Sequence, residues 1–304
     1  MLKRLQKKKW RTKIAAGILL GSTLFLGACS NDQTEISDKI HAQLANAETQ
    51  QLQNLSNQST TNLITSTEST PLPTQQATQQ TLAVPNKGQI PIIMFHYVRT
   101  VDQSKDPLGY NLSITPTSFE KILQYLSNQG YHTIHVEDLL KEPVAKKDII
   151  LTFDDGYEDF FTTARPLLKK YGFTASEAII TGKIDGTTYM SPRQIQTIDQ
   201  EGFEILSHTV NHVDLDTDPH QKTEIVDSKT YLEKLLNKPI DTLVYPSGRY
   251  NNETLQLDKE AGYKIGLTTK PGYANLEGDL LQLHRIRIDN RDGFLGFVKK
   301  LTLT

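Results

Sequence analysis

Ile149-Ile150-Leu151-Thr152-Phe153-Asp154-Asp155-Gly156-Tyr157 is a run of mostly apolar residues that ends abruptly in two carboxylates and a glycine. An apolar stretch of this length suits a strand buried on both faces, as in a parallel sheet covered by helices. Two adjacent carboxylates at the end of such a strand are costly to bury. Side chains alternate along a strand, so the pair diverges unless the backbone turns there, which Gly156 permits. Taken alone, Asp-Asp-Gly reads equally well as a turn that closes a strand.

On either side of this run, apolar stretches alternate with amphipathic ones, and four of the amphipathic stretches close on a glycine followed by an aromatic: Gly130-Tyr131, Gly172-Phe173, Gly202-Phe203 and Gly262-Tyr263. Glycine tolerates the left-handed conformation that ends a helix, and the aromatic then enters the next strand. Strands are expected at 90–95, 133–135, 149–153, 175–180, 204–207, 242–245 and 264–268. Strand alternating with helix implies a mostly parallel α/β sheet, and about seven strands suit a barrel-like closure. Chemistry is then expected where strands end and loops begin.

The second such end is Ile205-Leu206-Ser207-His208-Thr209-Val210-Asn211-His212. Histidines four apart can share one face of a helical turn and offer two neutral nitrogens to a borderline metal such as zinc. With a carboxylate from another strand end they make a two-His, one-Asp set that leaves room for water and substrate, as a catalytic site requires. No Glu lies between the histidines, unlike His-Glu-x-x-His, so a general base has to come from elsewhere. Asp154 is the candidate, with Asp155 as the ligand.

Thr152-Phe153-Asp154-Asp155-Gly156 followed by Ser207-His208-Thr209-x-x-His212 resembles the first two motifs of the NodB-homology polysaccharide deacetylases, the family 4 carbohydrate esterases. Pro91-Ile92-Ile93-Met94-Phe95-His96-Tyr97, Gly202-Phe203-Glu204-Ile205 and Tyr245-Pro246-Ser247-Gly248-Arg249-Tyr250-Asn251 extend the resemblance over roughly Pro91 to the C-terminus. It implies a distorted (β/α) barrel and hydrolysis of acetyl groups on glycans. It also implies a divalent ion, zinc first with Co2+ or Ni2+ as alternatives, held by Asp155, His208 and His212. Asp154 is then the catalytic base, and a backbone N–H near Gly156 or Tyr157 holds the oxyanion. Tyr157, His96, Tyr245 and Pro246 are expected to meet the substrate.

Three family marks are altered. The arginine that orients the base is absent before Tyr245-Pro246, with Arg193 or Arg249 as possible replacements, and Ile265-Gly266-Leu267-Thr268-Thr269-Lys270 stands where an Asp-rich stretch ending in Trp is usual. The general acid is expected at His284, in Leu281-Gln282-Leu283-His284-Arg285-Ile286-Arg287, with His96 as the alternative. Alternation from Leu281 to Ile288 reads as a strand with His284 and Arg285 on opposite faces, so only one of them aims at the site. Similar reductions occur in the branch that includes deacetylases of poly-N-acetylglucosamine. Two readings therefore stay open: an enzyme removing N-acetyl groups from N-acetylglucosamine units of peptidoglycan or a related surface polymer, or a degenerate, tethered glycan-binding module. A solute-binding lipoprotein leaves the metal set without a purpose.

At the N-terminus, Lys3, Arg4, Lys7, Lys8, Lys9, Arg11 and Lys13 precede an apolar run from Ile14 to Leu26, the layout of a signal peptide. Leu26-Gly27-Ala28-Cys29 resembles a bacterial lipobox, so residues 1–28 are expected to be removed and Cys29 to anchor the chain in the outer face of the cytoplasmic membrane. The remainder holds 26 Lys and Arg against 35 Asp and Glu, a formal charge of −9, which disfavours nucleic acid as a partner. Cys29 is the only cysteine, so no intramolecular disulfide forms. Residues 29–88 are rich in Gln, Ser, Thr and Asn, with no aromatic residue, and read as a tether. The catalytic domain is expected at 89–304, as a monomer.

Overall fold

A computed structural model describes residues 88–302 apart from residue 142. The leader, Cys29 and the tether to residue 87 lie outside the described residues. Seven parallel strands follow one another around a ring: β1 (Ile92–Phe95), β2 (Asp148–Phe153), β3 (Ser176–Ile179), β4 (Glu204–Ser207), β5 (Thr242–Val244), β6 (Ile265–Pro271) and β7 (Leu283–Arg287). The ring closes because β1 pairs on both edges, Ile92 with Ile150 of β2 and Ile93 with Ile286 of β7. Closure removes the exposed sheet edges.

The expected helices surround the ring: α1 (Pro116–Asn128), α2 (Arg165–Lys170), α3 (Pro192–Gln200), α4 (Gln221–Leu236), α5 (Asn252–Ala261) and, after β7, α6 (Gly293–Thr302). Thr115-Pro116 and Ser191-Pro192 start α1 and α3 with a side-chain cap and a proline whose missing N–H is not needed there. At the four glycine-aromatic junctions every glycine has positive φ, and each aromatic N–H reaches back to a carbonyl in the last turn, as Tyr131 does to Leu126 at 2.9 Å and Tyr263 to Asp258 at 2.9 Å.

Alternate strand residues form two apolar layers. Ile92, Ile150, Ala178, Leu206, Val244 and Leu283 fill the barrel interior. Ile93, Leu151, Phe153, Ile179, Ile205 and Ile286 face the helices and pack on residues such as Phe119, Ile198, Ile225 and Phe297. Burial on both faces explains the unbroken apolar runs that mark these strands in the sequence.

Two strands differ from expectation. His132–Thr133 pairs with β2 from outside the ring, and the seventh barrel strand is β7, so the expected count holds for a partly different set. Pro91, with no N–H to give a ladder, splits the expected 90–95 strand: Gln89–Ile90 pairs antiparallel with Ala274–Asn275, and β1 starts at Ile92. Among the described residues no helix is long and apolar enough to cross a membrane.

Candidate active site

The C-terminal ends of β1, β2 and β4 bring His96, Asp154, Asp155 and His208 to one mouth of the barrel. Asp154 continues the inward-facing series Ile150 and Thr152, and its N–H donates to the Phe95 carbonyl of β1 at 3.0 Å. Inside the barrel its carboxylate meets Arg285 of β7, which donates through both terminal nitrogens, Nη1 to Oδ1 and Nη2 to Oδ2, each at 2.7 Å. Arg285 also donates to Thr152 Oγ1 at 3.0 Å and from Nε to the Thr268 carbonyl at 2.9 Å. Arg285 is 0% exposed and Asp154 3%. Four of the five guanidinium N–H groups are engaged in these bonds, which offsets much of the cost of burying the pair. Burial pushes the Asp154 carboxyl up, but the charge and hydrogen bonds of Arg285 outweigh it and hold the group well below the usual carboxylate range.

The arginine that pairs with Asp154 thus comes from neither expected position. Arg193 is exposed, and Arg249 pairs with Asp214 and Asp216 at the surface. Arg285 takes the inward position on β7. Its neighbour His284, expected as the acid, has the opposite parity and lies half-buried beside Gly272, so it is not brought into the cluster.

The two carboxylates diverge because the turn begins at Asp155 itself, where φ is 86°, and continues through Gly156 at 80°. Asp155 Oδ1 then lies 3.4 Å from His208 Nε2 and 3.5 Å from His212 Nε2. This oxygen is buried and has no hydrogen-bond partner among the described residues. His208 donates its Nδ1–H to the Val244 carbonyl at 2.7 Å, which leaves the Nε2 lone pair facing Asp155. Burial opposes charge on His208, but Asp155 and Asp154 outweigh it and raise its affinity for a proton.

An orphaned carboxylate oxygen and two imidazole nitrogens converging on one point fit a cation. Donors about 2.1 Å from a tetrahedral zinc are separated by roughly 3.4 Å, the edge of that tetrahedron. Asp155, His208 and His212 are therefore a candidate metal set. The histidines do not share a helical turn as expected. They lie on a loop with Thr209 at φ 64° and His212 at φ 60°. Glu224 of α4 holds that loop, accepting from the N–H of Val210 at 3.0 Å and from the N–H and side-chain amide of Asn211 at 2.7 Å each.

His96 is half-buried beside Asp154 and Asp155, and burial lowers its pKa despite those carboxylates. Tyr157 is half-buried, stacked on Tyr189 at 4.8 Å, and accepts from the Tyr97 hydroxyl at 3.0 Å. Tyr245 and Pro246, expected to meet substrate, are buried instead. The Tyr245 hydroxyl donates to Asp258 at 2.6 Å, so an apparent motif residue belongs to the core. Of the two candidate oxyanion donors, the Gly156 N–H is engaged by Glu177 at 3.0 Å, whereas the Tyr157 N–H donates to no group among the described residues. Arg285, Glu177 and Glu224 were not picked out from sequence as parts of the site. For Arg285 the strand reading said only that it and His284 face opposite ways, without fixing which of them points inward.

A family model described as polysaccharide deacetylase matches residues 141–266. YxkH of Bacillus subtilis (strain 168), which bears the name of a polysaccharide deacetylase, is 32% identical over 209 residues, covering 66% of this chain and 72% of its own. The poly-β-1,6-N-acetyl-D-glucosamine N-deacetylase of Staphylococcus aureus (strain MRSA252) is 26% identical over 210 residues, covering 62% of this chain and 72% of its own. The structure of the Streptococcus pyogenes deacetylase PplD in complex with acetate superposes with a TM-score of 0.65 at 36% identity, covering 71% of this chain and 99% of that one.

Proposed function

The chain belongs to the polysaccharide deacetylase family, and from that premise we propose that it removes N-acetyl groups from N-acetylglucosamine units of a cell-wall or surface polysaccharide, with the Asp154, Asp155, His208 and His212 cluster as its active site. The observation that carries this reading is the pairing of two differently treated carboxylates: Asp155 Oδ1 stands orphaned between two imidazoles, while Asp154 is clamped and ionised beside it.

A divalent ion held by Asp155, His208 and His212, zinc by the donor chemistry, would supply Lewis acidity toward the acetyl carbonyl and the attacking water. Asp154 accepts the proton of that water. Arg285 leaves each Asp154 oxygen a further lone pair and fixes the carboxylate plane. The Tyr157 N–H, which donates to no group among the described residues, is the backbone donor for the charge that develops on the acetyl oxygen. The proton taken by Asp154 passes to His96, which donates it to the amide nitrogen as the C–N bond breaks, so that the free amino sugar leaves and acetate remains. The place of His96 beside both carboxylates supports this role over His284.

The resemblance to a poly-β-1,6-N-acetylglucosamine deacetylase supports a glucosamine polymer as substrate. The basic leader, the apolar run and Leu26-Gly27-Ala28-Cys29 support a lipid-anchored domain working outside the cell on its tether. The test is acetate release from peptidoglycan fragments and from poly-β-1,6-N-acetylglucosamine oligomers, with and without a chelator. Release that the chelator abolishes is expected from one of the two. Zinc-loaded protein that releases acetate from neither defeats the proposal.

A further inference from the structure

On the face of β3 that packs against the helices, Ala175 and Ile179 are apolar. So is Ile205, the β4 residue in register with Glu177. Glu177 stands among them with 1% of its surface exposed, at a position where a Val or Phe would serve the packing. A carboxyl buried there costs free energy unless it does something the apolar side chain could not. Burial and the nearby carboxylates of Asp154, Asp159 and Asp155 push Glu177 well above its ordinary range. One oxygen, Oε1, accepts the Gly156 N–H at 3.0 Å, and the other has no partner among the described residues.

The Gly156 amide lies in the turn that aims Asp155. A non-glycine residue at φ 86° is strained and stays there only if its surroundings hold it. Three hydrogen bonds from outside hold the turn: the Asp154 N–H to the Phe95 carbonyl, the Met190 N–H to the Gly156 carbonyl, and the Gly156 N–H to Glu177, each at 3.0 Å. The first two join backbone to backbone. Glu177 alone contributes a side chain.

We propose that Glu177 is a positioning residue for Asp155: by fixing the Gly156 amide it keeps Asp155 in the left-handed conformation that sets Oδ1 between His208 Nε2 and His212 Nε2. The same bond leaves the Tyr157 N–H as the donor open to substrate. This inference rests on the reading of Asp155 as a metal ligand in a deacetylase.

The full-length protein, stripped of metal and titrated with zinc against a chromophoric chelator, tests it together with acetate release. Glu177→Met removes the acceptor at similar volume and is expected to lower zinc affinity and kcat each on the order of 10–100-fold, with little change in KM. Glu177→Gln keeps an acceptor oxygen at the same reach for the Gly156 N–H, so it is expected to hold both within about threefold of the parent, well short of that loss. A Glu177→Met protein that binds zinc as the parent does, or a Glu177→Gln protein as impaired as Glu177→Met, overturns the inference. Amide hydrogen exchange in the parent needs no variant: Gly156 is expected to be protected with the core, and exchange as fast as an exposed loop overturns the inference as well. A parent that shows the expected zinc ranking but releases no acetate sinks the deacetylase reading and leaves this one standing. A parent that binds no zinc overturns both.

Discussion

Asp154 and Arg285 place opposite full charges in the barrel interior, and removing one strands the other. Arg285→Met is therefore expected to cost about 3–5 kcal/mol, read as a lower urea midpoint. Because Asp154 is depressed in the fold, its contribution to stability is complete above the unfolded carboxylate value of about 3.9 and is lost only as pH falls through its lower folded value. In the Arg285 variant the acid limb of the kcat/KM profile is expected to move to higher pH, and an unmoved limb would exclude Asp154 as the base. His96→Ala is expected to lower kcat on the order of 10²–10⁴-fold. His284→Ala, outside the cluster, is expected to leave it near the parent, and the reverse ranking would restore His284 as the acid. The four residues of the cluster, though not their roles, were legible because each stands beside its motif partners at a strand end. Arg285 was not, since its partner is 131 residues away and β7, apolar on both faces through Leu283 and Ile286, offers no polar side to fix its parity.

At the scale of elements, β4 carries chemistry at both ends. Its last residue leads into His208. Its first, Glu204, accepts the N–H of Val136 at 2.7 Å and of Glu137 at 3.0 Å, where the short helical turn Glu137–Leu140 starts, and also accepts from the Ser176 hydroxyl. Burial nonetheless pushes its carboxyl up to about 7. A raised acid weakens the fold as it ionises, so stability is level below the unfolded value of about 4.3, declines between there and about pH 7, and is level above. Glu204→Gln is expected to remove that decline from a plot of melting temperature against pH, and a variant with the parental slope would assign it to another group. Element positions were largely readable, because glycine-aromatic junctions mark helix ends by a backbone requirement. Which strands enter the ring was less so, since the His132–Thr133 pairing and β7 differ in their neighbours rather than in composition.

For the whole molecule, ring closure rests on strand pairing and two apolar layers, neither of which includes Asp155, His208 or His212. Chelation is accordingly expected to abolish turnover while leaving far-ultraviolet circular dichroism unchanged. An ion at a hundredfold its Kd adds about 2.7 kcal/mol, so the chelated protein is expected to melt roughly 5–11 °C lower in a domain of this size. Loss of secondary structure on chelation would contradict that. The span from Asp154 to Arg285 has one more consequence, which concerns synthesis. A chain that stops short of β7 already carries both ligand motifs, yet its interior carboxylate lacks the guanidinium that pairs with it and β1 lacks its second neighbour. Such a fragment is expected to be cut by added protease under conditions where the whole barrel resists, since its ring stays open at one edge.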